Sequence, residues 1–515
     1  MNPTRLAFVD VIAAHAEQVP HAVAVIDEHG EVGYAELWAA AGAVAGGLHR
    51  CGVGRGERVV TAMTPGAAHI AVLLGIMAAG AVAAPLNTRL TPVEAGDFLA
   101  TIAPRLVVHD AVHAALARTL DVATVALAGS GALAERLSPL AVPPPAVPPP
   151  AVPPGGGDEE PMIDGVDPEA PAAIFGTGGT TGRPKGAAWS HRGLWLYTAS
   201  CQANMEIRRT DVELYFSPFF HVALVTVLFS TLYAGGCVWV LPRFDEREVI
   251  DALRTGRPTR LFGAPTALVR LIRHPDFAPA ATGQLRRVLF GSTRSEPGFA
   301  TELAGAFPHA RLVTGYGATE FGAVTRLRSW ELHDGTDHGV GRPVPGVTVR
   351  VVDEHGVDLA RGGIGQLVVH APWQMLGYWA TTPDDPTGRS RGGLLSGDRG
   401  RFDEDGFLHL VGRTKDMIIT GGENVFPVEV ENVVAAFPGV AAVAVFGQPH
   451  ELWGEQVEAA VVCAGEVDVD ALRAFCRTRL AGYKVPRRVH LVPELPVTAA
   501  MKVDKRRLRE ALRGT

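Results

Sequence analysis

Apolar positions along the first part of the chain follow two periodicities that alternate. The segment 6–48 has helical spacing at both ends, and between them lies the compact run Val23-Ala24-Val25-Ile26, which predicts helix, strand and helix. A strand-like run at 58–63 and an apolar helical segment from Ile70 repeat the pattern. Strands that alternate with helices favour an α/β fold, with a parallel or mixed sheet covered by helices.

Two long apolar stretches, 70–86 and 224–241, require a comparison with membrane spans. The first is rich in alanine and glycine and has Pro85 at its end, and the second is broken by Gly235-Gly236. A membrane span needs about 20 strongly apolar residues. Each stretch therefore predicts a core helix that runs into a buried strand, and we expect no integral membrane association.

Beyond about residue 339 the pattern changes to shorter β-type runs. Residues 339–412 are dense in glycine and aspartate and predict a smaller β-rich subdomain. From Lys415 onwards, the order helix, strand, strand, helix, strand, helix predicts a compact α+β domain of about 100 residues. We therefore expect a large N-terminal layered α/β domain over 1–414 and a small C-terminal domain over 415–515.

A proline-rich segment at 141–157 interrupts this pattern. Ala-Val-Pro-Pro-Pro occurs twice, a shortened copy follows, and Gly155-Gly156-Gly157 closes the segment. Because proline lacks a backbone N–H and favours extended conformations, we interpret the segment as a surface insertion. A docking site for a partner and an inert linker both stay open.

The composition, 47% hydrophobic and 20% charged over 515 residues, is that of a globular protein large enough for more than one domain. The net charge of −7 supplies no overall basic field, so we expect no nucleic-acid partner. The five cysteines are scattered without a C-x-x-C pair, which argues against a structural zinc site or a disulfide framework. Because the N-terminus also lacks the apolar core of a signal peptide, we expect a cytoplasmic protein.

The most distinctive stretch is 175–186, Phe-Gly-Thr-Gly-Gly-Thr-Thr-Gly-Arg-Pro-Lys-Gly, with five glycines and three threonines. It follows an apolar, strand-like run and precedes a helix predicted to begin near Ser190. A strand, a glycine loop and a helix start are the parts of a phosphate cradle, because glycine lets backbone N–H groups converge on an anion. Lys185 adds a positive charge, although the Pro184 before it departs from the Gly-Lys-Ser/Thr ending of a Walker A loop. A flexible surface loop is the alternative interpretation.

This loop resembles the phosphate-binding signature of adenylate-forming enzymes, the superfamily of acyl-CoA synthetases, peptide-synthetase adenylation domains and luciferases. Further stretches resemble the family's motifs in the family's order, so that the resemblance covers nearly the whole chain: 315–320, 396–400 with 412–416, 421–431 and 495–502. The resemblance implies that the small C-terminal domain is a mobile lid that rotates about Lys415. It also implies that the protein uses ATP, Mg²⁺ and CoA.

The resemblance assigns the nucleotide site to three of these motifs. Tyr316 corresponds to the ring that stacks on adenine, Asp398 to the carboxylate that binds the ribose, and Arg413 to a ribose or phosphate contact. Glu320 corresponds to the carboxylate that helps to hold Mg²⁺, which suits a hard cation. The nucleotide-binding residues implied are Thr177, Gly178, Gly179, Thr180, Thr181, Gly182, Lys185, Tyr316, Gly317, Thr319, Asp398 and Arg413. Taken alone, each is also explained as part of a turn or as a solvated charge.

The catalytic residues implied by the resemblance are Lys502, Thr181 and His221. Lys502 takes the place of the lysine that bridges the acid and the α-phosphate, where a cation offsets the repulsion between two anions. A solvated lysine in a basic tail is the alternative. Gly421 and Gly422 correspond to paired glycines beside the tunnel for the pantetheine arm of CoA, and Lys484, in a Tyr-Lys-x-Pro segment, also favours CoA.

The acid pocket implied by the resemblance is lined by His221, Gly263, Gly291, Ser292 and Gly315. Apolar residues nearby favour an apolar or aromatic acid. The sequence departs from the family pattern at Gly178, where Ser or Thr is usual, and at Leu224 and Met501, where glycine is usual. These departures leave every charged catalytic group in place.

The function implied is an ATP-dependent acid–CoA ligase that forms an acyl-AMP, releases pyrophosphate and transfers the acyl group to CoA. One alternative is an adenylating enzyme that loads a carrier protein or activates an unusual acid for biosynthesis. Another is a nucleotide-binding regulatory protein that has lost catalysis. The partners expected are therefore small molecules, and a homodimer stays open.

Overall fold

The computed structural model describes residues 6–128, 131–141, 166–177, 185–291, 298–331, 339–379, 389–390, 392–420, 423–497 and 503–512. The α-helices of these segments are α1 Phe8–Gln18, α2 Tyr34–Arg50, α3 Ala67–Ala78, α4 Pro92–Ile102, α5 Ala114–Ala117, α6 Leu133–Leu137, α7 His191–Met205, α8 Ser230–Tyr233, α9 Glu246–Arg254, α10 Pro265–Ile272, α11 Phe299–Ala306, α12 Pro427–Ala435, α13 Val469–Arg477 and α14 Lys505–Ala511.

The strands of these segments are β1 Val23–Asp27, β2 Gly30–Gly33, β3 Arg58–Ala62, β4 Val82–Pro85, β5 Leu106–His109, β6 Thr124–Ala126, β7 Pro171–Thr177, β8 Lys185–Ser190, β9 Val212–Tyr215, β10 Cys237–Val240, β11 Arg260–Gly263, β12 Arg287–Phe290, β13 Arg311–Thr314, β14 Gly317–Ala318, β15 Gly322–Ala323, β16 Thr325–Arg328, β17 Arg342–Pro343, β18 Thr348–Val352, β19 Gly365–His370, β20 Gly377–Tyr378, β21 Arg389–Ser390, β22 Gly393–Phe402, β23 Leu408–Arg413, β24 Ile418–Thr420, β25 Glu423–Val425, β26 Val440–His450, β27 Gly454–Cys463 and β28 Arg488–Leu491.

Two large sheets form the centre of the N-terminal part. One has nine strands in the order β17-β16-β13-β12-β11-β9-β10-β1-β2, and the other has seven in the order β20-β8-β7-β4-β3-β5-β6. The nine-stranded sheet is parallel from β13 to β1 and has antiparallel strands at both edges. The seven-stranded sheet is parallel from β7 to its edge strand β6, and β8 and β20 are antiparallel at the other edge. The α/β class and the mixed sheets predicted from the alternating pattern are therefore confirmed.

The helix α3 shows why the apolar stretch 70–86 belongs to the core. Eleven of its residues are buried, and it contacts β1 of the first sheet and β3 and β4 of the second. The chain then enters β4, whose four residues are all buried. The prediction of a core helix that runs into a buried strand is confirmed, and no helix within the described segments is long and apolar enough to cross a bilayer.

The stretch 224–241 differs from prediction in its helix type. It begins as a π-helix at Leu224–Phe229 and becomes α-helical only in α8, before the strand β10. The Ser230 hydroxyl donates to the carbonyl of Val225, five residues earlier, at 2.8 Å. Such side-chain bonds to the backbone compete with the regular helical ladder, and π segments occur often beside functional sites.

Two smaller sheets follow. The strands β18, β19, β22 and β21, with β23 on β22, form the β-rich unit expected from 339–412. The last sheet, β25-β24-β27-β26 with β28 on β27, carries α12, α13 and α14 in the order predicted from Lys415 onwards. Its own core includes Ile418, Val430, Val445 and Val461, all fully buried.

The proline-rich segment lies outside the described residues apart from Ala141. The large N-terminal and small C-terminal parts agree with the expected fold class. The boundary between 414 and 415 stays a prediction; Lys415 itself lies in a 3₁₀ turn, Thr414–Asp416, which connects β23 to β24.

Candidate active site

The glycine loop connects two antiparallel strands. β7 and β8 pair from Pro171 opposite Ser190 to Thr177 opposite Lys185. The Thr177 hydroxyl donates to the Lys185 carbonyl at 3.5 Å, the limit of a hydrogen bond. Five of the predicted loop residues lie outside the described part: Gly178, Gly179, Thr180, Thr181 and Gly182.

The helix start that the sequence predicts near Ser190 is confirmed, but a strand that the sequence did not predict lies between the loop and this helix. The residues from Lys185 to Ser190 form the strand β8, and α7 begins only after it, with Ser190 as its N-cap. The Ser190 hydroxyl accepts from the backbone N–H of Gly193 at 2.9 Å. The positive end of α7 is therefore separated from the loop by a whole strand, and Lys185 is the described cation at the loop itself.

One tyrosine joins the lysine of the loop to the predicted metal-binding carboxylate. The Lys185 ammonium lies 4.8 Å from the ring centroid of Tyr378, and the Tyr378 hydroxyl donates to Oε1 of Glu320 at 2.6 Å. The strand β20 holds Tyr378 in place by pairing with β8, so that Tyr378 lies opposite Ala187. Sequence reasoning missed Tyr378, because the signal is a pairing between strands far apart in the chain.

The predicted adenine and ribose residues are in direct contact. The Tyr316 hydroxyl donates to Oδ2 of Asp398 at 2.7 Å, and Arg413 Nε lies 3.2 Å from Asp398 Oδ1. Asp398 and Arg413 face each other across β22 and β23, and the Asp398 N–H donates to the Ser396 hydroxyl at 3.0 Å. Burial, and then the Asp398 carboxylate, raise the pKa of Tyr316 well above its usual value. The phenol is therefore neutral and remains a donor to Asp398.

The tract around Tyr316 needs glycine on steric grounds. A Cβ at Gly315 would lie 2.1 Å from the carbonyl oxygen of Thr325, and a Cβ at Gly317 would lie 2.4 Å from that of Gly322. Neither distance is compatible with a side chain, because the backbone segments on both sides approach too closely. Thr319 is fixed through its carbonyl, which accepts from the Trp189 indole N–H at 3.0 Å.

Three of the predicted pocket glycines lie side by side. Gly263 ends β11, Gly291 follows β12 and Gly315 follows β13, and these strands are parallel neighbours. Their carboxyl ends meet at one edge of the sheet, where α/β proteins bind ligands. Ser292, which follows Gly291, lies outside the described residues.

His221 lies just before the π-helix. Its Nδ1 accepts from the backbone N–H of Ala223 at 3.1 Å, so that Nδ1 is the unprotonated ring nitrogen. In the adjoining interior, the Tyr197 hydroxyl accepts from the Ala323 N–H at 2.7 Å and pairs with Thr226 Oγ1 at 2.8 Å. The π-helix, α7 and the segment after Glu320 thus share a hydrogen-bonded tyrosine that sequence reasoning did not find.

The C-terminal part brings Lys484 to the start of α12. Its ammonium lies 2.6 Å from Oε2 of Glu429, and Oε1 of Glu429 accepts from the N–H of Phe426 at 3.1 Å. This ion pair gives Lys484 a structural role next to the predicted role in binding CoA. Gly421, Gly422 and Lys502 lie outside the described residues.

The donor groups fit a magnesium ion held together with a nucleotide. Within the described segments no three His, Cys, Asp or Glu side chains form a metal-binding cluster. Glu320 would hold such a cation through its carboxylate, with phosphate oxygens of the nucleotide as further ligands. Mg²⁺ commonly binds in this way, through one or two carboxylates and the substrate's phosphates.

Comparison with known proteins gives matches along nearly the whole chain. The model of the AMP-binding enzyme family matches residues 12–379, and that of the AMP-binding enzyme C-terminal domain matches 429–502. A feruloyl-CoA synthase of Amycolatopsis sp is 35% identical over 500 residues, which cover 96% of each chain. A long-chain-fatty-acid–CoA ligase of Mycobacterium tuberculosis is 32% identical over 499 residues, 94% of this chain and 93% of that one.

Solved structures are similar over the same extent. ATP-bound MatB from Rhodopseudomonas palustris has a TM-score of 0.86 and 32% identity, and the match covers 98% of this chain and 99% of that one. The amide bond synthetase McbA from Marinactinospora thermotolerans has a TM-score of 0.85 and 28% identity, and the match covers 98% and 100% of the two chains.

Proposed function

This chain belongs to the AMP-binding enzyme family, and on that premise we propose that it is an AMP-forming acid–CoA ligase. In the first step a carboxylate oxygen attacks the α-phosphorus of ATP, and the bond from that phosphorus to the pyrophosphate oxygen breaks. In the second step the CoA thiol loses its proton and attacks the acyl carbon, and AMP leaves. The products are a thioester, AMP and pyrophosphate.

The observation that carries this proposal is the link from Lys185 through Tyr378 to Glu320. It joins a cation at the loop expected to grip the phosphates to the carboxylate expected to hold Mg²⁺. When bound, Mg²⁺ would neutralise charge on the phosphates. In the same tract, Tyr316 directs its hydroxyl to Asp398, whose carboxylate has acceptor sites beyond those used by Tyr316 and Arg413.

The remaining roles are assigned as the resemblance implies. Lys502 stabilises the pentavalent transition state, and Thr181 and the loop glycines hold the β- and γ-phosphates. The residues 1–414 carry adenylation, and 415–515 act as a lid that turns about Lys415 between the two steps. Gly421, Gly422 and Lys484 then line the entry of CoA.

The substrate class follows from the walls of the predicted pocket. Gly263, Gly291 and Gly315 carry no side chain at this sheet edge, and Phe262 and Phe290 directly precede two of them. These surroundings suit an apolar or aromatic acid. We further propose that the enzyme acts in the cytoplasm, since its five cysteines are free thiols, and that it forms a homodimer, which sedimentation analysis can test.

The test is an ATP–pyrophosphate exchange assay with a panel of fatty and aryl acids, followed by addition of CoA. Acid-dependent exchange, with thioester formed from free CoA, is the expected result. Thioester formation only on a phosphopantetheinylated carrier protein would favour the carrier-loading alternative. Exchange supported by no acid in the panel would favour a regulatory protein without catalysis.

A further inference from the structure

A buried guanidinium lies beside Gly315, a predicted wall of the acid pocket. Arg326 belongs to β16, the strand that pairs with β13 and follows the nucleotide tract, and it is only 6% exposed. Its Nη1 would lie 3.2 Å from a Cβ built at Gly315. The guanidinium therefore occupies the space into which a side chain at Gly315 would point, next to a predicted wall of the pocket.

The hydrogen-bond donors of Arg326 are poorly used by the protein. Nη1 donates to the carbonyl of Thr325 at 3.2 Å, and Nη2 lies 3.9 Å from Sγ of Cys201. Nε is buried without a partner in the part of the chain that the structure describes. A guanidinium has five N–H donors, so most of the hydrogen bonds that Arg326 could donate are weak or not formed within the described residues.

Arg326 differs in this respect from the other deeply buried arginines. Arg136, Arg260 and Arg287 are also more than nine-tenths buried, and each has a carboxylate within ion-pair distance, from Asp27, Glu213 and Glu206. No such carboxylate faces Arg326 among the described residues. A buried charge is costly unless it is paired, and this fold pairs the other three.

The acidic groups near Arg326 do not supply the missing charge. Cys201 and Tyr197 lie one turn apart on α7. Burial raises the pKa of the Cys201 thiol, and burial likewise raises the pKa of the Tyr197 phenol far above its usual value. Both groups are therefore neutral near pH 7, so neither supplies a negative charge to Arg326.

We propose that Arg326 binds an oxygen at the far end of the acid substrate, so that the enzyme selects acids with a second acceptor group over plain alkyl or aryl acids. This inference rests on the proposed function, because it requires an acid in the pocket. The oxygen is either a second carboxylate or a phenolic group on an aromatic ring. Both accept hydrogen bonds from a guanidinium, and the carboxylate can accept two in parallel.

The experiment compares acids in matched pairs: adipate with hexanoate, and 4-hydroxycinnamate with cinnamate. It measures kcat/KM of the adenylation step at saturating ATP. Wild-type protein is expected to favour the oxygenated member of one pair by about 10- to 100-fold, the range for a hydrogen bond to a charged group. The pair that shows the preference identifies the source of the oxygen.

Arg326→Met should abolish this preference and keep activity on the plain acid. Arg326→Lys keeps the charge but loses the planar fork, so part of the preference should remain. Arg328→Met is the matched control, two residues further along β16, where the guanidinium lies over the Trp330 ring at 5.4 Å. It should keep the wild-type preference.

Two results would overturn the proposal. One is that wild-type protein shows no preference for the oxygenated member of either pair. The other is that Arg326→Met lowers kcat/KM equally for both members, which would indicate a packing role. If thermal melting shows that Arg326→Met does not fold, the lysine variant decides, and an unchanged preference in it rejects the proposal. Failure of the proposed function looks different, since wild-type protein would then activate no acid.

Discussion

The Tyr316 hydroxyl donates a hydrogen bond of 2.7 Å to Oδ2 of Asp398, and thereby connects the predicted adenine side of the site to the predicted ribose side. The same carboxylate is 3.2 Å from Arg413 Nε. Because both partners are donors, they hold the Asp398 carboxylate in one orientation. This fixed orientation, with acceptor positions left over, is what the proposed ribose contact of Asp398 requires.

Substitutions of Asp398 and of Tyr316, the two partners of this hydrogen bond, should both weaken ATP binding, the former more strongly. Asp398→Asn replaces an ionised acceptor by an amide and should raise KM for ATP by about 10- to 100-fold. Tyr316→Phe keeps the ring and removes only the orienting bond, so an increase of about 3- to 10-fold is expected. Initial rates of pyrophosphate exchange against ATP concentration measure both. Tyr233→Phe, outside the motifs, is the control, and an unchanged KM in Asp398→Asn would reject the ribose assignment.

Glu320 and Tyr378 should differ in their effect on the magnesium requirement. Glu320→Gln removes the negative charge, so the Mg²⁺ concentration for half-maximal exchange should rise by about tenfold. Tyr378→Phe removes a 2.6 Å bond to that carboxylate but leaves its charge, and a rise of about two- to threefold is expected. A magnesium titration at fixed total ATP separates these cases. Equal requirements in all three proteins would contradict a metal role for Glu320.

Lys502→Ala should affect only the first half-reaction. In the proposed role the lysine's charge offsets the repulsion between the acid and the α-phosphate, so the acid-dependent formation of AMP should fall by about 100-fold or more. The transfer from synthetic acyl-AMP to CoA should continue at a rate close to that of wild type. Arg506→Ala removes an exposed cation of the same tail and serves as the control. Adenylation at the wild-type rate in Lys502→Ala would show that the assignment is wrong.

The sequence predicted the layers of this fold well, because long alternating apolar patterns determine them. It also placed Gly263, Gly291 and Gly315 in one pocket, and they do lie at the ends of three neighbouring strands. It did not predict the strand β8 between the glycine loop and α7. The run from Lys185 to Ser190 is rich in glycine and alanine, and its extended form depends on pairing with β7.

The residues that sequence reasoning missed have their positions set by tertiary contacts. Tyr378 reaches Glu320 because the short strand β20 pairs with β8. Tyr197 reaches Ala323 from a helix whose sequence carries no motif. In the sequence, Arg326 cannot be distinguished from any other arginine in a strand. Only the structure shows that it is buried and that no carboxylate among the described residues pairs with it. Neither periodicity nor spacing along the chain contains these three facts.

Lys484 has two roles to be tested separately: the ion pair with Glu429 and the proposed contact with CoA. Lys484→Gln should raise KM for CoA by about 3- to 10-fold and leave pyrophosphate exchange unchanged, if the ammonium contacts CoA after lid rotation. Glu429→Gln removes the same 2.6 Å pair and keeps the cation. Each variant should lose about 1 kcal/mol of stability or less, since the pair is partly exposed. If both variants left KM for CoA unchanged, Lys484 would have only the structural role.

His191 should make the protein less stable in acid. The side chain is fully buried, its two ring nitrogens have no partner within the described segments, and burial lowers its pKa to about 4. The unfolded chain takes up this proton near pH 6.5, whereas the folded protein does so only near pH 4, so stability falls as pH drops through that window. The loss from this residue is about 2–3 kcal/mol at pH 4.5.

The variant His191→Leu has no imidazole to protonate at this position. Its urea midpoint of unfolding should therefore fall less between pH 7 and pH 4.5 than that of the wild type. At pH 7 it should be nearly as stable as wild type, because the neutral imidazole makes no hydrogen bond that would be lost. His355→Asn, at an imidazole that is 76% exposed, should retain the full acid sensitivity. A midpoint difference in His191→Leu equal to that of wild type would show that other groups cause the acid sensitivity.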